Sequence, residues 1–376
     1  MNRPDITLDQ KIGQCIDSGI SFALYRMPWS ETPLMAMGQG QGYETLQSLR
    51  ELNGKKGFLI SPFKTKGSHS IVLINAERVW SGWEEIDKGL STCTIGSADN
   101  ENTTDTTDGA EKDESLQKAA YETVFKKFIT ELRQQHFSKL VLSRSAACPI
   151  DGPFHPLTAF VTACNAYPRM MISLVYTPVT GMWIGTSPEI ILRGGQHEWN
   201  TVALAGTMPM CNGELPTSWS DKNREEQAYV ADYIRNIIVR YGTGIAEKGP
   251  FTARAGQLAH LKTEFAFRLK DDSLMGNLIE ELHPTPAVCG LPKTEAYHFI
   301  NENEGYDRAY YSGIIGWTDP KGETALYVNL RCMHVALTTA TLYAGGGILA
   351  SSDKESEWNE TLHKMNTIRT CLNAQE

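Results

Sequence analysis

At about 100° per residue, Glu357, Glu360 and Lys364 of the segment DKESEWNETLHKM fall within about a 60° arc of a helix. Trp358, Leu362 and Met365 form an apolar stripe beside them. Two readings fit. Either Glu360 and Lys364 are a solvated i, i+4 ion pair, or the carboxylates line a cleft and hold a hard cation such as Mg²⁺ through oxygen ligands. Just upstream, LYAGGGILASS places Gly345, Gly346 and Gly347 after a strand-like run. Read as a loop, these glycines let backbone N–H groups approach an anion. The segment lacks the Lys-Ser/Thr of a P-loop and the spacing of a dinucleotide fingerprint, so a carboxylate suits it as well as a phosphate.

Other charged residues stand in apolar contexts. In DKNREEQAYVADYIRNIIVRYG, Glu226, Val230, Tyr233 and Ile237 share one helical face. Glu226 thus heads an apolar stripe, where a buried carboxylate needs a partner, or it simply favours the helix dipole. Lys139 opens the strand-like SKLVLSR. It is a surface charge, or, if buried near other cations, an amine able to act as a base. Glu189 follows Pro188 in GTSPEIILR. It is solvated at a turn, or buried, protonated and competent as a general acid. Arg331 interrupts the apolar YVNLRCMHV; an arginine on a sheet face needs a carboxylate from the protein or from a ligand. His283 in HPTPAVCG reads as a structural histidine.

The elements that would position these residues follow from periodicity and turn signals. Residues 20–90 read as short strands. Residues 96–115, GSADNENTTDTTDGAEKDES, are polar and acidic and read as a mobile surface loop. A helix at 116–135, a strand at FSKLVLSRSAACP and a helix at HPLTAFVTACNAYP come next. Three strands then follow, RMMISLVYTP, GMWIGTSPEIILRGG and EWNTVALAGTMP. A long helix ends at Gly242, QLAHLKTEFAFRL reads as strand, and helices are expected at 271–283 and 292–303. YYSGIIGWTDP, ETALYVNLRCMHVALT and ATLYAGGGIL form a strand series before the last helix. Hairpin-like strand series with helices between groups predict an α+β fold with large antiparallel sheets packed as a sandwich and helices outside.

Composition bounds the function. The 376 residues are 41% apolar with a net charge of −9, enough for a large core and unsuited to nonspecific nucleic-acid binding. Local cations can still make a cleft attractive to a small anion. The eight cysteines form no CxxC pair or Cys/His cluster, which speaks against zinc and for reduced thiols. No signal-peptide core and no run of 18 apolar residues occur, so a cytoplasmic protein with no membrane partner is expected.

Together, SKLVLSR, GTSPEIILR, ALAGT, DKNREEQAYV, HPTPAVCGLP, GWTD, VNLRC, LYAGGGI and EWNETLHK occur in the order seen in chorismate-utilising enzymes. The sequence most resembles the isochorismate synthases of menaquinone and siderophore pathways, over residues 116–374. The resemblance implies one chorismate-binding domain over 1–376, with 1–95 a variable N-terminal part, 96–115 an inserted acidic loop and 116–374 the catalytic core. It implies Mg²⁺ and the substrate chorismate. By motif, Lys139 matches the lysine that activates water and Glu189 the general acid. Glu226 and Glu360 match the metal-binding glutamates, with Glu357 an additional acid. Arg331, Tyr343, Gly347 and Lys364 match positions that hold substrate carboxylates, and Gly206, Thr207 and His283 match pocket positions. Anthranilate synthases typically lack the lysine at 139 and carry an LLES stretch that is absent here. Aminodeoxychorismate synthases carry a lysine within ALAGT, where this chain has Ala205. Amination and a glutaminase subunit are therefore not expected. Salicylate synthases share the lysine and both metal glutamates; HPTPAV, with Ala287, looks more like the enzymes that stop at isochorismate. A non-catalytic anion-binding module is the reading from another class.

Overall fold

The computed structural model describes residues 6–93 and 114–372, apart from 197, 211, 212, 256 and 257. The acidic stretch expected as a loop lies outside the described residues except for 114 and 115, which begin the helix Glu114–Arg133. Two nine-stranded sheets form the body. The first runs Gly290–Leu291, Lys139–Pro149, Thr339–Ile348, Cys332–Val335, Gly181–Ser187, Met171–Thr177, Phe22–Arg26, Leu34–Met37 and Arg78–Ser81. The second runs Gly242–Ala255, Leu258–Leu269, Glu198–Pro209, Ile190–Gly195, Thr324–Val328, Ile314–Thr318, Gly57–Ser61, Ile71–Asn75 and Tyr43–Leu46. Pairings are antiparallel, as the hairpin-like series predicts. Strands from before residue 93 enter both sheets.

One buried cluster, rich in aromatic side chains, joins strands of both sheets and contains Tyr25, Phe58, Trp183, Tyr310, Tyr327 and Tyr343. Helices cover the outer sides. Asp221–Tyr241 buries Val230, Ile234, Ile237 and Ile238 in a cluster with Trp199 and Phe265 of the second sheet. Each such fully buried side chain contributes about 1.5–3 kcal/mol. The start of Asp221–Tyr241 is set by Ser220, whose hydroxyl accepts from the Asn223 N–H at 3.3 Å, and Gly242 follows its last turn. The last helix, Lys354–Arg369, begins where the Asp353 carboxylate accepts from the Ser356 N–H at 2.9 Å.

Two sequence runs that read as single strands are each divided between the sheets. Gly181–Ser187 lies in the first sheet and Ile190–Gly195 in the second; Thr324–Val328 lies in the second and Cys332–Val335 in the first. The two runs are neighbours in both sheets, with Ile184 opposite Met333 and Arg193 opposite Ala325. Between the sheets they remain bonded: the Val328 N–H donates to Glu189 O at 2.9 Å and the Thr186 N–H to Arg331 O at 3.1 Å. Arg331 is therefore not on a sheet face as expected. It sits in the crossover with φ 47°, and Glu189 occupies the matching crossover beside it. Hydropathy gave no warning, because strands buried on both faces read as continuous apolar runs on either side of the switch.

The expected glycine loop is also corrected. Gly345, Gly346 and Gly347 lie inside the strand Thr339–Ile348, opposite Ser143, Leu142 and Val141. Three further elements differ from the sequence reading. Ile6–Asp17 and Trp83–Ser91 are helices, and Gly242–Ala255 is a strand. The helix Trp83–Ser91 has nine residues and buries Ile86, Gly89 and Leu90 at i, i+3 and i+4, a helical spacing that the strand reading of 20–90 passed over.

Candidate active site

Where the two sheets exchange strands, a cavity of about 80 Å³ opens, and Lys139, Glu189, Glu226, Arg331, Tyr343, Gly347 and Lys364 all line it. Lys139 opens its strand with its side chain almost wholly buried, and its Nζ lies 2.7 Å from Glu226 Oε1 on the neighbouring helix. This is the partner that each of the two buried charges needs. Gly347 leaves room for the pair. A Cβ there would stand 2.8 Å from Glu226 Oε1 and 3.1 Å from Lys139 Cε. Gly346 does the same for the last helix: a Cβ would meet Glu357 Oε2 at 3.3 Å and Glu360 Oε1 at 3.4 Å. The glycines thus act by what they lack on the side-chain faces of a strand, not as a loop.

Lys364 Nζ bonds Glu360 Oε1 at 2.7 Å and Gly345 O at 2.8 Å. Lys222 Nζ stands 3.7 Å from Glu357 Oε1. Burial opposes ionisation of Glu360, but the charge and hydrogen bond of Lys364 more than offset it and hold the carboxyl below its usual range. Glu357 differs: burial, then repulsion from Glu360, push it up to about 7. Glu189 is raised to about 7 by burial, against the opposing charges of Lys139, Lys364 and Arg331. It is thus a carboxylic acid that keeps its proton up to neutral pH. Burial lowers Arg331 to about 10, leaving it a cation at neutral pH. Tyr343 stacks on Tyr311 and Trp183 with centroids 5.6 and 5.5 Å apart, and burial raises its phenol.

Gly206 and Thr207 lie on Glu198–Pro209, where the register shifts between Ala205 and Thr207. Gly206 has φ +71°, and a Cβ there would stand 2.9 Å from Asn223 O, at the start of the helix that carries Glu226. Thr207 pairs by its backbone with His260. His283 is not among the lining residues. Its Nε2 donates to Phe63 O at 3.2 Å, and burial followed by the charge of Lys293 lowers it to about 3. It begins the turn whose Ala287 and Val288 do line the cavity.

Sequence reasoning missed His260. It lines the cavity, its Nδ1 donates to Gly206 O at 3.2 Å, and burial with the charges of Lys364 and Arg331 holds it neutral, down to about 3. In the strand pattern it shares a face with Lys262 and Glu264, which reads as solvated. Nothing in that alternation singles it out.

Among the described residues, no three His, Cys, Asp or Glu side chains form a metal-ligand cluster. Glu226, committed to Lys139, is not gathered with Glu357 and Glu360 into one such set. The donor chemistry of Glu357 and Glu360 nevertheless fits a hard cation. Both are carboxylates, and a divalent ion held by them would offset the burial and the mutual repulsion that raise Glu357.

A family model described as chorismate binding enzyme matches residues 68–373. The salicylate biosynthesis isochorismate synthase of Pseudomonas aeruginosa is 30% identical over 277 residues, covering 71% of this chain and 58% of that protein. The vibriobactin-specific isochorismate synthase of Vibrio cholerae is 32% identical over 194 residues, 49% of each. This chain thus aligns with about half the length of these relatives. In fold, it matches the crystal structure of a putative 2,3-dihydroxybenzoate-specific isochorismate synthase from Bacillus anthracis. The TM-score is 0.77 at 22% identity, over 98% of this chain and 100% of the other.

Proposed function

Since the chain belongs to the family of chorismate-binding enzymes, we propose that it is an isochorismate synthase, a Mg²⁺-dependent isomerase that moves the hydroxyl of chorismate from C4 to C2. The observation that carries this reading is the pairing, in one buried cavity, of an amine at Lys139 with a carboxylic acid at Glu189 that keeps its proton to about pH 7. Water is a poor nucleophile and hydroxide a poor leaving group, and a base with an acid addresses both problems. Lys139 takes a proton from water as it adds at C2, the double bonds shift, and Glu189 protonates the departing C4 oxygen. Because a hydroxyl only changes place on the ring, the reaction is readily reversible.

Arg331 and Lys364 receive substrate carboxylates, with Tyr343 as part of the wall and Gly347 leaving the room that Lys139 and Glu226 occupy beside them. Glu357 and Glu360 would hold Mg²⁺, and Glu226 would serve as a further donor only by leaving Lys139. Bound there, the ion would supply positive charge to these acids and to a substrate carboxylate. Glu226, whose Oε1 lies 2.7 Å from Lys139 Nζ, also fixes that amine in place against the cavity. Ala205 lines the cavity where a lysine would suit amination chemistry, and Ala287 lines it from the 283–289 turn. Both support a reaction that ends at isochorismate.

The test is incubation with chorismate and Mg²⁺ followed by chromatography. Isochorismate without pyruvate is expected. Stoichiometric pyruvate and salicylate would replace this reading with a salicylate synthase, and chorismate bound without turnover would replace it with a binding module.

A further inference from the structure

A second cavity, of about 90 Å³, lies against the first and shares Pro188 and Leu204 with it. Its charged lining is wholly cationic: Arg169, Arg254 and Lys262. These come from three separate places, the residues just before Met171–Thr177, the end of Gly242–Ala255, and the middle of Leu258–Leu269. Arg169 lies over the ring of Trp29 at 5.0 Å. The charge of Lys262 is met by Glu264 at 2.7 Å. Met170 links the two cavities. It lines the outer one, and its Sδ lies 3.7 Å from Arg331 Nη1 of the inner. His260 and Lys262, two apart on one strand, line the inner and outer cavities respectively. Cations therefore continue outward from Lys364 and Arg331 to Arg169 and Arg254, in a chain whose net charge is −9.

We propose that this outer cavity is an anion antechamber, the place where the dicarboxylate substrate is first held before it passes the Pro188–Leu204 wall. The proposal rests on the function inferred above. The physical need is plain. A protein of net charge −9 repels a dianion at long range, whereas a cleft lined by one sign of charge focuses the field and raises the local concentration of its counter-ion about 10- to 1,000-fold. Charges around an open cleft are screened over about 8 Å at physiological ionic strength, so the effect fades with salt.

The test is the double variant Arg169→Gln/Arg254→Gln, both sites being exposed. Turnover at saturating Mg²⁺ and equilibrium binding of chorismate, read by calorimetry, are measured from about 0.02 M to about 0.5 M salt. At low salt kcat/KM is expected to fall, and Kd to rise, about tenfold, with kcat changed less than about twofold. The difference should vanish at high salt. Arg169→Lys/Arg254→Lys keeps the charge and should retain most of the wild-type salt dependence. A double variant whose salt profile parallels the wild type, or whose kcat falls equally at every ionic strength, overturns the antechamber. Wild-type protein that binds chorismate without turning it over overturns the isomerase reading alone, and the binding measurement still decides this one. Wild-type protein that does not bind chorismate overturns both.

Discussion

Replacing Glu189 by glutamine should destroy turnover and stabilise the protein in alkali, two effects with one origin. A buried carboxyl moved from its ordinary 4.5 to about 7 keeps its proton where the unfolded chain has lost it. Between those values the folded state binds more protons than the unfolded, so stability falls as pH rises. The contribution is complete below about 4.5, is lost through about 7, and is flat above. The whole span is worth about 3 kcal/mol at about 1.36 kcal/mol per pH unit. Glutamine cannot ionise and is spared this loss. Normalised to their values near pH 4.5, the variant should gain about 3 kcal/mol on the wild type by about pH 8.5. For a chain of 376 residues this is roughly 4 °C in Tm. Loss of the acid should lower kcat by about 10²- to 10⁴-fold, near 4 kcal/mol of barrier at the midpoint. The alkaline limb of the wild-type rate profile, set by Glu189 losing its proton, should vanish in the variant's residual activity. The assays are thermal unfolding across pH and chorismate turnover by chromatography. A variant within tenfold of wild-type kcat, or one whose Tm parallels the wild type at every pH, refutes the assignment of a buried protonated acid.

Three further outcomes follow from the same geometry. Lys139→Met strands Glu226 beneath the surface and should cost about 3–5 kcal/mol in urea unfolding, while Lys139→Met/Glu226→Gln recovers at least half. Both variants should bind chorismate without converting it, and a double variant no more stable than the single would remove the ion pair as the cause. Gly347→Ala puts a methyl 2.8 Å from Glu226 Oε1; kcat/KM should drop at least tenfold by steady-state assay, since small displacements of reacting groups are felt strongly, and an unchanged value refutes the need for a bare backbone there. Glu357→Gln should raise the Mg²⁺ concentration for half-maximal activity at least tenfold, with a matching weakening in calorimetric titration of Mg²⁺ alone; superimposable titrations would remove Glu357 from the metal site.

How much could be read before folding differs from residue to residue. Glu226, Val230 and Ile237 stand at helical spacing, and a run of that length with a Ser cap and a terminal Gly declares its inward face locally. The stripe left Glu226 either buried with a partner or exposed to favour the helix dipole, and the structure buries it against Lys139. Glu360 and Lys364 meet as the i, i+4 spacing requires, but the same spacing fits a solvated pair and a cavity wall equally well. What decided between those was the sheet behind them: the strand Thr339–Ile348 presents glycine, not side chains, to that helix.

The sequence by itself determined the local periods, the antiparallel α+β class and the residue types able to exchange protons or hold anions and cations. Those properties depend on neighbours within a turn or two of chain. The tertiary structure alone decided that two apolar runs leave one sheet for the other, which places Glu189 and Arg331 at adjacent crossovers. It alone brought Lys139 to Glu226 across 87 positions and turned His260 from an apparently solvated face into the cavity. Burial supplies the last term. An isolated carboxyl near 4.5 becomes an acid near 7 only when strands remote in sequence exclude water from it.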